Sequence, residues 1–123
     1  MKWRQLLVTL GLIILSGCIG FGAPSIPLAN GKYIFKHRYA EQPEIESIRL
    51  TVEILGSHIA VINSEESSVF PVGIVDEGNL EWHAISKQWI VAHNPGDKSA
   101  PEVGGCSDGP SVIDLMNGVY WTC

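Results

Sequence analysis

The chain has 123 residues, with 46% apolar and 17% charged side chains and a formal charge of −5. That length allows one small domain and no more, and the acidic balance disfavours long-range attraction to nucleic acid or to an anionic membrane surface.

At the N-terminus, Lys2 and Arg4 precede an apolar run over residues 6–15, LLVTLGLIIL, which the small pair Ser16-Gly17 closes before Cys18. A basic start, a short apolar run and small residues at a cut site are the layout of an export signal. The run is about half of the ~20 residues a membrane-crossing helix needs, so removal is expected rather than permanent insertion.

Leu15-Ser16-Gly17-Cys18 resembles the lipobox of bacterial lipoproteins: Leu, a small or apolar residue, Gly or Ala, then Cys. The resemblance implies a diacylglyceryl thioether on Cys18, cleavage between Gly17 and Cys18, and acylation of the new amino terminus. The lipid would hold the chain to the membrane, because two or three acyl chains anchor stably where one binds reversibly. Ile19 stands where an Asp would favour inner-membrane retention in enterobacterial lipoproteins, which points to the outer membrane and a periplasmic face.

Residues 1–17 are therefore read as a lipoprotein signal peptide and 18–30 as the lipidated N-terminus and tether, with 31–123 as a single β domain. The tether, IGFGAPSIPLAN after Cys18, is rich in Gly, Pro and small residues. After residue 18 six basic residues face all 13 carboxylates, a balance of −7. Lys32, Lys36 and Arg38 cluster at the start of the domain, near where lipid head groups would lie.

From residue 31 short apolar runs alternate with Gly, Pro, Asn and Ser, and no helical period lasts ten residues. The fold class expected is all-β: a small antiparallel barrel or sandwich of about seven short strands in up-and-down order. Residues 32–37 form the first strand. Residues 48–63 make the clearest hairpin, with Ile54 opposite Ile59 and Val52 opposite Val61 around a Gly56-Ser57 type II′ turn. Strands over 68–75 and 80–85 are expected on either side of a turn at Asp76-Glu77-Gly78-Asn79, followed by one over 88–92. A last hairpin, 112–116 and 119–123, closes on Asn117-Gly118 as a type I′ turn. Gly31-Lys32-Tyr33 also resembles the Gly-x-Trp opening of lipocalin-like barrels, a three-residue likeness from which no ligand is carried over.

With Cys18 taken by lipid, three cysteines leave one pair, Cys106 and Cys123, in a compartment that permits oxidation. The four histidines fall in no HxH or HExxH pattern and no CxxC occurs, so no metal is assigned. Ser107-Asp108 with His83 or His93 lacks the Gly-x-Ser-x-Gly elbow, and the adjacent carboxylates Glu65-Glu66 and Asp76-Glu77 point apart on a strand. No catalytic residue and no cofactor is assigned, and the chain is expected not to be an enzyme.

Trp82, Trp89, Trp121 and Tyr120, with Tyr33, are a large aromatic set for this length. They are the candidate binding residues, either as anchors for a protein or envelope partner or as the lining of a pocket for an apolar small ligand.

Overall fold

The computed structural model describes residues 22–123; the segment expected to be an export signal, and Cys18 with its expected lipid, lie outside them. Seven strands run in chain order: β1 Gly31–Tyr39, β2 Arg49–Leu55, β3 His58–Asn63, β4 Gly73–His83, β5 Gln88–Ala92, β6 Ile113–Asp114 and β7 Val119–Thr122. They form one sheet in the order β5-β4-β3-β2-β1-β7-β6, and an isolated bridge between Ile90 and Val112 brings its two edges together. The chain is thus an all-β, nearly closed barrel in which every strand neighbours its sequence neighbours.

One junction, β1 with β7, is parallel, with Lys36 opposite Val119 and Tyr39 opposite Thr122. Parity demands it, because alternating an odd number of strands up and down around a ring leaves the first and last pointing the same way. The antiparallel barrel expected from the sequence is therefore a mixed one.

The β2–β3 hairpin has the register read from the alternation, Leu55 opposite His58, Ile54 opposite Ile59 and Val52 opposite Val61. Gly56, at φ +63°, supplies the left-handed residue its turn needs. Phe35, Leu50, Val52, Ile54, Ile59, Val61, Leu80, Val91, Ile113, Leu115 and Tyr120 meet along the barrel axis, so side chains fill the interior. Ile26 and Leu28, just before β1, pack against the same core.

Two local expectations are corrected. Residues 76–79 form no turn: β4 runs unbroken from Gly73 to His83, pairing with β3 on one side and β5 on the other, and only residues 73–75 of the strand expected over 68–75 belong to it. The pairing with β3 slips between Val61 and Ile62, a bulge that lets one strand bend around the barrel. The segment before β4 is a loop, held where the Asn63 side-chain amide donates to the carbonyls of Phe70 (2.9 Å) and Pro71 (3.3 Å).

The last hairpin closes on four residues rather than two, since Asp114 pairs with Val119 and Ile113 with Tyr120. The Asp114 carboxylate accepts from the backbone amides of Met116 (3.1 Å) and Asn117 (2.9 Å) and from the Asn117 side chain (2.8 Å). Burial alone would raise its pKa, but these bonds outweigh it and hold the carboxyl below its ordinary value. This locally bonded turn overrides the Asn-Gly signal, and the register moves by two, so Cys123 passes beyond Val112. A shift of two keeps each side chain on its face. Cys106 and Cys123 are joined, as expected, with Cα atoms 4.6 Å apart.

His37 is fully buried on β1, with Nδ1 2.7 Å from Ser47 Oγ and Nε2 2.7 Å from Thr122 Oγ1. Burial, and secondarily the Arg38 cation, push its pKa below the ordinary imidazole value. An imidazole whose folded pKa is lowered binds its proton more readily unfolded, so its contribution to stability is complete above the unfolded pKa and is lost as pH falls through it. Denaturation midpoints should therefore drop as pH falls below about 6.5, and His37→Gln should flatten that part of the profile. Equal slopes for the two proteins would show that another group governs it.

Candidate functional site

The Ile90–Val112 bridge joins β5 to the residues just before β6, and beside it Val91 donates its amide to the Ser111 carbonyl at 3.0 Å. Towards the β4–β5 turn the two strands diverge, and the seam opens into a cleft of about 450 Å³. Trp82 and Trp89 form one wall. They are a cross-strand pair on β4 and β5, with ring centroids 5.4 Å apart and planes at 67°, the edge-to-face geometry aromatic quadrupoles favour. Trp121 comes from β7, where it also packs on Ile90, Ala92 and Val112. Met116 sits on the rim, 76% exposed, and Pro24, Ser25 and Pro27 of the N-terminal segment form the remaining border.

Three of the four candidate aromatics thus converge on one apolar cleft, and the fourth does not. Tyr120 points the other way along β7, into the core. Its hydroxyl donates to Asp76 at 2.8 Å and lies 3.4 Å from Ser111 Oγ. Burial drives the phenol's pKa well above its ordinary range; the Ser111 hydroxyl opposes this and the Asp76 charge adds to it. Tyr33 is also apart, donating to the Ala29 carbonyl at 2.6 Å.

A second, more polar cleft of about 580 Å³ is formed within the long loop itself, between its two arms, residues 93–102 and 108–111. On its edge His93 Nε2 lies 2.6 Å from Asp76 Oδ1, which makes a chain His93–Asp76–Tyr120 leading into the core. Nothing in the local sequence announces this chain, since it depends on contacts 17 and 44 residues apart. The same loop is tied down where Asp97 accepts from the amides of His93 (2.7 Å) and Asn94 (3.1 Å), and these bonds, His93's first, hold its carboxyl below the ordinary range.

Ser107, His83 and His93 are not brought together. Ser107 donates to the Gly104 carbonyl at 2.7 Å, and buried His83 has Nδ1 2.7 Å from Ser86 Oγ and Nε2 2.6 Å from the Ala100 carbonyl. Both sets of bonds hold loops. Asp76 and Glu77 separate across the strand, Glu77 lying 3.6 Å from His58. Among the described residues no three His, Cys, Asp or Glu side chains group as they would around a metal ion.

Comparison with protein-family models, with curated proteins and with solved structures returns no match.

Proposed function

We propose that this chain is a membrane-anchored lipoprotein of the bacterial cell envelope, lipidated on Cys18 and facing the periplasm from the outer membrane. Its barrel is a binding module rather than an enzyme, and it takes an apolar part of a protein or envelope component into the cleft between β5 and β6. The observation that carries this reading is the convergence of Trp82, Trp89 and Trp121 on that open seam, beside the segment that leads to the anchor.

The seam also offers backbone. Below the Ile90–Val112 bridge, Gln88 and Trp89 on β5 and Asp114 on β6 face each other without ladder partners across the gap. An extended segment could therefore combine main-chain bonds with an aromatic anchor. An apolar small ligand is the second reading, favoured by the cleft's volume, which lies within the usual range of small-molecule sites. Such a ligand would sit in the seam, because the barrel axis is filled.

A photoreactive residue in place of Met116, in intact envelopes, tests the assignment. It should give a defined adduct whose yield falls roughly tenfold or more when Trp82 and Trp89 are both changed to Ala, the loss expected when buried aromatic anchors are removed. Adducts indifferent to those substitutions would refute the site. Native mass spectrometry of the gently extracted protein separates the two readings, since only a small-ligand carrier retains a lipid-sized extra mass.

A further inference from the structure

We infer that the end of the barrel where β2, β4 and β6 terminate is a docking face that lies on the lipid bilayer. This rests on the proposed anchor at Cys18.

Strand directions put three turns at that end: residues 56–57 after β2, 84–87 after β4 and 115–118 after β6. Each turn carries an exposed aliphatic side chain at or beside its tip, Leu55 (70% exposed), Ile85 (69%) and Met116 (76%). Water-exposed apolar side chains grouped with tryptophans at one end of a small domain mark an interaction surface. Trp82, Trp89 and Trp121 line the cleft that opens between two of these turns, and indole rings favour the headgroup level of a membrane. Lys87 stands in the same turn as Ile85, where its ammonium can reach phosphate.

The occupant is fixed by where the chain enters. β1 begins at this end, and Pro24, Ser25 and Pro27 border the cleft. Cys18 is six residues before Pro24, a reach of at most about 20 Å. β4 alone has 11 residues, about 35 Å of strand. An inverted domain would need a lead spanning that height, so a chain anchored at Cys18 cannot rest its opposite end, which carries exposed Ile74, on the membrane. The short lead holds the three aliphatic tips against the bilayer, and the seam cleft then opens towards the headgroup layer. The apolar component it takes is accordingly one presented from the membrane.

The test uses the lipidated full chain in vesicles of phosphatidylcholine and phosphatidylglycerol, with and without bromine on the acyl chains. Once the signal segment with Trp3 is removed, all three remaining tryptophans report from the cleft. An apolar face buried roughly 5–10 Å into the headgroup boundary should lose about half its tryptophan emission to bromines placed high on the chain. It should also become less accessible to acrylamide than the same protein in detergent.

Leu55→Glu, Ile85→Glu and Met116→Glu together should restore the emission, and Ile74→Glu at the opposite end should leave the quenching unchanged. The denaturation midpoint of the triple variant monitors its fold, and acrylamide accessibility of the unsubstituted protein is an independent readout. Labelled protein whose tryptophans are unquenched, or whose quenching survives the triple substitution, overturns the docking face alone. A chain that takes no palmitate analogue on Cys18 overturns the anchor and the docking face together. Protection that appears only at high protein-to-lipid ratio would give the face to a second copy of the chain and overturn the bilayer assignment.

Discussion

Cys106→Ala is expected to lower the unfolding free energy by about 3 kcal/mol, the loop-closure value for a bridge of this span. The two cysteines are 17 residues apart, and the segment between them contains β6, two residues long, and the whole of the four-residue β7. β7 is laddered to β1 through four residues, but β6 makes only two pairings, both with β7, and the bridge to β5 at Ile90–Val112 falls just before it. A domain of this size buries only about 60–65% of the surface its unfolded chain exposes, so a loss of that magnitude is a large share of its stability. The disulfide ties the end of β7 to the turn where Gly104 donates to the Pro110 carbonyl at 2.8 Å. Without it the β5–β6 seam should open before the rest of the barrel. Limited proteolysis should then cut residues 119–121 first, while the β2–β3 hairpin stays protected. Denaturation of Cys106→Ala, of the Cys106→Ala/Cys123→Ala pair and of reduced protein should agree. Midpoints equal to the oxidised protein, or uniform proteolysis, would show that the bridge is not what holds the seam.

What the sequence disclosed and what it hid divide by the range of the interactions involved. The β2–β3 hairpin was legible because alternation and turn are both local: slipping Val52 from Val61 by one residue would expose the whole aliphatic stripe. Strands over 80–85 and 88–92 would instead set Trp82 opposite Val91; the structure turns over residues 84–87 and sets it opposite Trp89. The place of Trp121 beside them was not legible, since it requires the barrel to close through residues 90, 112 and 121, which share no local pattern. Nor was the aim of Tyr120, whose partner Asp76 is 44 residues away. At the last hairpin both competing signals were local. Asn117-Gly118 favours a two-residue turn, but Asp114 supplies three hydrogen bonds to a longer one. Only Gly118 takes a positive φ there, whereas type I′ needs two.

Gly78 carries the second large effect: the turn expected from the sequence and the strand observed both make alanine costly there, but for different physical reasons. In Asp76-Glu77-Gly78-Asn79 a glycine suggests a turn, where Gly→Ala would be costly through a positive φ. The structure places Gly78 inside β4, and it is not among the glycines with positive φ. Alanine could adopt that backbone, and by restricting the unfolded chain it would stabilise by about 0.4–1 kcal/mol if space allowed. Space does not allow it. A Cβ at Gly78 would overlap the carbonyl oxygen of Ala92 and sit 3.2 Å from His93 Cδ2. The obstructing atom is backbone, so no rotamer change relieves it, and β5 must move away from β4. That movement would strain the Asn79–Ala92 pairing and the seat of His93 on Asp76. Gly78→Ala should therefore destabilise the domain by roughly 1–3 kcal/mol, the usual penalty of overpacking. Gly96, at φ −77° with nothing within 4 Å of a built Cβ, is the matched control, and Gly96→Ala should be neutral or slightly stabilising. Thermal or urea denaturation of the two variants decides the matter. A Gly78→Ala protein as stable as Gly96→Ala would mean that β5 does not cross β4 this closely.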